Sequence, residues 1–201
     1  MMRWAVQRGY RTDNPCREID PLPSGDGYEP WPWHVIESAR DNLRTDLWWA
    51  VALAVYTGQR QADVLKMRWD AIKDGKIKLR QGKTRKTLTI PLHAEIQPII
   101  DTIPRSALTI LTNSRGTPWT ESGFRATWRK HRPALVIEDG LVFHGQRKTA
   151  VVTLLEAGCT DAEVASITGQ TREMIEHYAK QVNQERLADV AMLKWQNKNE
   201  T

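Results

Sequence analysis

Two arginines, a histidine, a lysine and a tyrosine in this 201-residue chain have the types and order needed to attack a phosphodiester without a metal. His144 and Arg147 lie three apart, one helical turn, in the stretch Phe143-His144-Gly145-Gln146-Arg147-Lys148-Thr149-Ala150. A second arginine, Arg60, follows Thr57-Gly58-Gln59 at the start of another helical segment, and Tyr178 comes after Gly169-Gln170. Guanidiniums suit charge building on non-bridging phosphate oxygens, because the planar fork donates paired hydrogen bonds and keeps its charge. A phenol holds its proton at neutral pH and must lose it during attack. Of the four tyrosines, Tyr10 and Tyr28 precede the main domain and Tyr56 sits in an apolar run, leaving Tyr178 as the candidate nucleophile.

The elements that must hold these residues can be read from periodicity. Met2 to Tyr10 reads as the end of a helix, stopped by Asn14-Pro15, and Asp20-Pro21-Leu22-Pro23-Ser24-Gly25-Asp26-Gly27 reads as a linker. A helix is predicted from Trp31-Pro32-Trp33, with Pro32 at its first position. The run from Asp46 to Tyr56 is apolar all round and predicts a central core helix that Gly58 ends; Arg60 to Met67 starts another. Lys76-Ile77-Lys78-Leu79-Arg80 and Thr87-Leu88-Thr89-Ile90 alternate, predicting a β-hairpin looped through Gln81 to Lys86. A helix from about Ala94 to Thr102 and a third strand from Ala107 to Leu111 are expected next. Glu121 to Lys130 and His144 to Ala157 read as helices, with Gly158 as a C-cap. Thr160-Asp161-Ala162-Glu163 is a capping box, and Asn183 to Trp195 carries an apolar stripe of Leu187, Val190, Ala191 and Leu193. The fold class is therefore mainly α with a small antiparallel β-sheet.

Composition narrows the partner. Charged residues at 26% and apolar ones at 40% describe a folded, water-soluble domain. The longest apolar run, Leu47 to Tyr56, is too short to span a bilayer, and the N-terminus has no secretory pattern. Cys16 and Cys159 offer neither metal spacing nor a disulfide framework, which points to a reducing cytoplasm. The net charge of +5 is grouped. Lys78, Arg80, Lys83, Arg85 and Lys86 share one acid-free segment, and Arg125, Arg129, Lys130 and Arg132 form a second cluster. Arg80, Arg85, Lys86, Arg125, Arg129 and Lys148 are the candidate contacts to a phosphate backbone.

The same residues carry a family resemblance. Ala54-Val55-Tyr56-Thr57-Gly58-Gln59-Arg60-Gln61-Ala62-Asp63-Val64-Leu65 resembles the first box of the tyrosine recombinases, the phage-integrase family. Gln81-Gly82-Lys83-Thr84, ahead of Ile90-Pro91-Leu92, resembles that family's hairpin lysine. His144 to Ala150 is similar to its second box, and Ile167-Thr168-Gly169-Gln170 through Tyr178-Ala179-Lys180 to its third. The four occur in the right order from about Trp31 to the C-terminus. The resemblance implies that Tyr178 forms a 3′-phosphotyrosyl link to DNA, that Arg60 and Arg147 hold the phosphate, and that Lys83 protonates the leaving 5′-oxygen. It implies that His144 hydrogen-bonds the phosphate or takes the tyrosine proton, with no metal, cofactor or ATP. Asp63, near Arg60, reads as an orienting group.

Two departures are visible. Histidine is usual after Gly169, where this chain has Gln170, and the stretch from Gln170 to Tyr178 is one residue shorter than the common version. Glutamine can donate a hydrogen bond to phosphate but cannot shuttle a proton. Residues 1–28 resemble only the tail of the family's N-terminal clamp domain plus a linker, with the catalytic domain over 29–201. DNA binding without a clamp is expected to be weak and strongly salt-dependent. The expected partners are double-stranded DNA attachment sites, further copies of the chain in a tetramer on DNA, and excision or host DNA-bending factors, in a bacterial, nucleoid-associated setting. A catalytically impaired DNA-binding remnant and a type IB topoisomerase-like enzyme are the alternatives, and the short hairpin and overall length favour a recombinase.

Overall fold

The computed structural model describes residues 2–17, 28–135, 141–179 and 184–198. The linker expected over 20–27, Lys180 and Asn183 lie outside them, as do the side chains of Leu187 and Val190. Helices α1 (Met2–Gln7), α2 (Trp33–Asn42), α3 (Thr45–Thr57) and α4 (Gln61–Val64) come first. A sheet of β1 (Ile72–Lys73), β2 (Lys76–Arg80) and β3 (Thr87–Pro91) follows, then α5 (Ile96–Asp101) and α6 (Glu121–His131). The chain closes with α7 (Gly145–Glu156), α8 (Asp161–Thr168), α9 (Arg172–Ala179) and α10 (Gln184–Lys198).

The all-round apolar α3 becomes the central helix, for the reason its sequence suggests. Leu47 and Ala50 to Val55 are all buried, and α2, α5 and α7 pack against it. Its alanines let those neighbours approach closely. The helix stops at Gly58, whose φ of +63° is left-handed, with the Gly58 N–H donating to the Ala54 carbonyl. Arg60 is the N-cap of α4, which ends after Val64 rather than running to Met67. Pro32 is the N-cap of α2 rather than its first helical residue, a shift of one position.

In the hairpin, Ile77 pairs with Ile90 and Leu79 with Leu88, so their side chains face the core while Lys76, Lys78, Arg80, Thr87 and Thr89 face outward. The third strand is not Ala107 to Leu111 as expected. Ile72–Lys73 pairs with β2 and supplies it. Around Thr109 there is only an isolated bridge to Arg68, although Ile110 and Leu111 are buried. Its partner, Met67 to Trp69, joins α4 to a 3₁₀ turn at Trp69–Ala71, so pairing cannot extend into a ladder.

Two hydrophobic clusters result. The larger gathers α2 to α6, the sheet, and Leu141 and Phe143, with Trp31, Trp128, Phe124 and Phe143 in ring-to-ring contact. The smaller is four buried residues, Val151 and Leu155 of α7, Val164 of α8 and Ile175 of α9. The expected capping box forms: the Thr160 side chain accepts from the Glu163 N–H, and the Glu163 carboxylate accepts from the Thr160 N–H. No described helix is long and apolar enough to cross a membrane.

Candidate active site

The floor of the site is built from two helix C-termini. α3 and α8 both end on a left-handed glycine, Gly58 and Gly169, at φ of +63° and +69°. Their last carbonyls converge on Arg147, whose Nη1 donates to Gly58 O at 2.5 Å and Nη2 to Thr168 O at 2.8 Å. Carbonyl ends carry the negative pole of a helix, so this is a natural seat for a cation. Neither glycine can be replaced freely: a Cβ on Gly58 would lie 2.9 Å from Thr168 Cγ2, and one on Gly169 2.7–2.9 Å from the Gln81 amide. Arg147 is only 2% exposed. Its burial, then the nearby Arg60 charge, pulls its pKa down to about 10, against opposing pulls from Asp63 and Tyr178. It stays charged at neutral pH.

Arg60 sits beside it, less buried. Its Nη1 is 4.0 Å from Asp63 Oδ2 and has no hydrogen-bond partner among the described residues. Asp63 turns its other oxygen to the hairpin, where Oδ1 accepts from the Gly82 N–H at 2.8 Å. The hairpin root is fixed from within. Gln81 is fully buried and donates to Gln59 Oε1 at 2.7 Å and Thr168 O at 2.9 Å. Gln59 in turn donates to Thr57 O and Ile167 O. One residue beyond this anchored base, Lys83 is exposed on the loop.

His144 is the residue before α7 and lies on the exposed side of the floor. Its pKa is lowered by partial burial first, then by the charges of Arg147, Arg60 and Lys83, which keeps the imidazole neutral. The positive charges of Arg147, Arg60 and Lys83 thus all bear on His144. Tyr178, half-buried near the end of α9, packs against the smaller cluster. The sequence reading assigns no element between Gln170 and Tyr178, and α9 fills that gap. Gln170 is 5% exposed, and its Oε1 has no partner among the described residues.

The comparisons with known proteins bear on this geometry. The family model described as the phage integrase family matches residues 34–185. The chain belongs to that family. It is 30% identical over 132 residues to a shufflon-specific DNA recombinase of Escherichia coli, covering 63% of this chain and 32% of that one. It is 32% identical over 109 residues to the integrase of Escherichia phage HK022, covering 50% of this chain and 29% of that protein. The aligned region thus spans about a third of the length of these relatives. The fold matches a lambda integrase fragment, residues 75–356, in a dimer bound to a COC' core site. That match has a TM-score of 0.71 and 23% identity, over 88% of this chain and 68% of the other.

The basic residues of this integrase-family domain fall into three groups. Arg80 and Arg85 are exposed on the hairpin, as are Arg125 and Arg129 one turn apart on α6. Lys86 is exposed too, but its Nζ reaches Gly169 O at 3.3 Å, tying the hairpin to the α8 terminus. Lys148 departs from expectation. Placed by sequence among the DNA contacts, it is 4% exposed, and its ammonium lies 5.3 Å from the centre of the Tyr178 ring. Sequence reasoning gave no role to Gln59, Gln81 or Gln146. Gln146 is fully buried with neither amide atom partnered among the described residues. No periodic signal marks these glutamines, because each is buried by segments distant in sequence.

Proposed function

We propose that this domain is a site-specific DNA recombinase that cuts and rejoins DNA through a 3′-phosphotyrosyl intermediate. The carrying observation is the seat of Arg147 on the carbonyls of Thr168 and of Gly58, two residues before Arg60, whose partner Asp63 also holds the Gly82 N–H next to Lys83. In the proposed step the Tyr178 oxygen attacks the scissile phosphorus as the bond to the 5′-oxygen breaks. The tyrosine proton passes to neutral His144, and Lys83 gives a proton to the leaving 5′-oxygen. Arg147 holds one side of the phosphate from a fixed seat, while Arg60, paired with Asp63 at 4.0 Å, faces the other. The phosphodiester energy is kept in the tyrosyl link, and rejoining is the reverse reaction.

The substrate in this reading is a double-stranded attachment site contacted by the hairpin face and by Arg125 and Arg129, with strand exchange between several copies of the chain. The test is covalent trapping on nicked duplexes carrying sequences from the flanks of the gene. A denaturation-resistant protein–DNA adduct that disappears in Tyr178→Phe is the expected result. Gln170 in place of the usual histidine supports a second reading, a non-cleaving occupant of attachment sites. Specific binding with no Tyr178-dependent adduct would select that reading and reject the first.

A further inference from the structure

Lys148 is the buried charged group that the proposed chemistry leaves unused. It follows Arg147 on α7, and one residue turns a helix by about 100°, so the two side chains face different neighbours. Arg147 points at the carbonyl ends of α3 and α8, whereas Lys148 meets α9. Its Nζ is buried, has no hydrogen-bond partner among the described residues, and sits over the face of the Tyr178 ring at 5.3 Å. A buried ammonium without an acceptor is costly, and among the described residues the negative face of the Tyr178 ring is the contact that compensates it.

We infer that Lys148 is a positioning residue for the nucleophile: its ammonium holds the Tyr178 ring against α7 and supplies fixed positive charge beside the phenol as it attacks. This rests on the reading of Tyr178 as nucleophile. Lys148 forms no bond to substrate and transfers no proton in this scheme. The Tyr178 oxygen bonds to phosphorus, the 5′-oxygen leaves, and Lys148 carries the same three protons before and after. Its charge opposes none of the groups it touches until negative charge develops on the phenol, so its effect is concentrated in the transition state. The site is also thinly supported, since Ile175 is the one buried residue of α9, which leaves the ring's orientation to contacts such as this one.

The test separates this role from DNA contact and from plain packing. Lys148→Met keeps length and apolar volume in a buried position, and Lys148→Arg keeps charge. With nicked duplex at saturation, Lys148→Met is expected to slow adduct formation by about tenfold or more while DNA affinity changes by less than about twofold. Lys148→Arg is expected to recover most of that loss, which restored packing alone would not do. In the DNA-free chain, the Lys148 side-chain methylene resonances should be shifted upfield by the Tyr178 ring and should lose that shift in Tyr178→Ala. Weakened binding with an unchanged saturated rate in Lys148→Met would make Lys148 a DNA contact and overturn the inference. So would equal rates in wild type and Lys148→Met, or equal loss in both variants. Absence of any wild-type adduct would instead sink the cleavage reading itself, and this inference with it.

Discussion

The two hydrophobic clusters support different halves of the site, and they are unequal. Arg60 and the hairpin root rest on the larger cluster, which surrounds α3 with rings and aliphatic side chains from most of the chain. Tyr178 rests on four buried residues shared by α7, α8 and α9. Arg147 lies between the two, bonded to a carbonyl from each side. In the proposed reading the groups that hold phosphate are thus preorganised by the larger cluster, and the nucleophile rides on the smaller one. Local opening free energy follows buried apolar contact, so α9 is expected to open before α3.

The largest effect should come from breaking the link between the two regions. Arg147→Ala removes a proposed phosphate donor and takes away the donor to Gly58 O, while Thr168 O keeps Gln81 Nε2, and is expected to reduce adduct formation by about a hundredfold or more. Arg60→Ala should cost a comparable factor in rate with less loss of thermal stability, because Arg60 bonds no buried carbonyl. Equal stability loss in both would erase the distinction drawn between them.

Truncation within each cluster sharpens the comparison. Ile175→Ala should cost about 2–5 kcal/mol of local stability, released as faster hydrogen exchange in α9 and slower cleavage, with exchange in α3 unchanged. Leu53→Ala, by contrast, should lower the midpoint of global unfolding. At the hairpin root, Gly169→Ala meets both a left-handed backbone and the Gln81 amide. It should destabilise the domain by about 1 kcal/mol or more and raise protease sensitivity between Gly82 and Lys86.

A smaller effect is a shift in titration. Burial and three neighbouring cations hold His144 neutral, so its NMR midpoint in the DNA-free chain should lie below the ordinary histidine value of about 6.5. Removing one cation with Arg60→Ala should move it upward. Because the unfolded chain binds this proton more readily, the His144 contribution to stability is present above the unfolded value and is lost as pH falls through the folded one. A midpoint above 6.5 would contradict the crowding of charge described here. Smallest of all, Arg129→Gln should weaken DNA binding and reduce the salt slope by about 1, leaving the saturated cleavage rate unchanged.

Much of this site was legible in the chain because it is encoded locally. Gly58 marks a helix end, Thr160 and Glu163 mark a helix start, and alternation between Lys76 and Ile90 marks the hairpin. Each is a backbone preference or a short-range hydrogen bond, and each survives folding unchanged. The order of the four boxes likewise made the family legible from residue types alone. Ala107 to Leu111 failed as a strand for the complementary reason: its apolar pattern was real, but a strand also needs a partner that continues, and Met67 to Trp69 turns away.

By itself, then, the sequence determined which residues could do phosphoryl chemistry and most of the helices and the hairpin that carry them, though not α9 beneath Tyr178. Only the tertiary structure decided what the long polar side chains meet. Lys148 and Arg147 are adjacent and both basic, yet one faces an aromatic ring and the other two helix ends, while Gln59 and Gln81 clasp each other across 22 residues. A long polar side chain can turn to solvent, to a carbonyl or to a ring, and the choice depends on which distant segment packs over it.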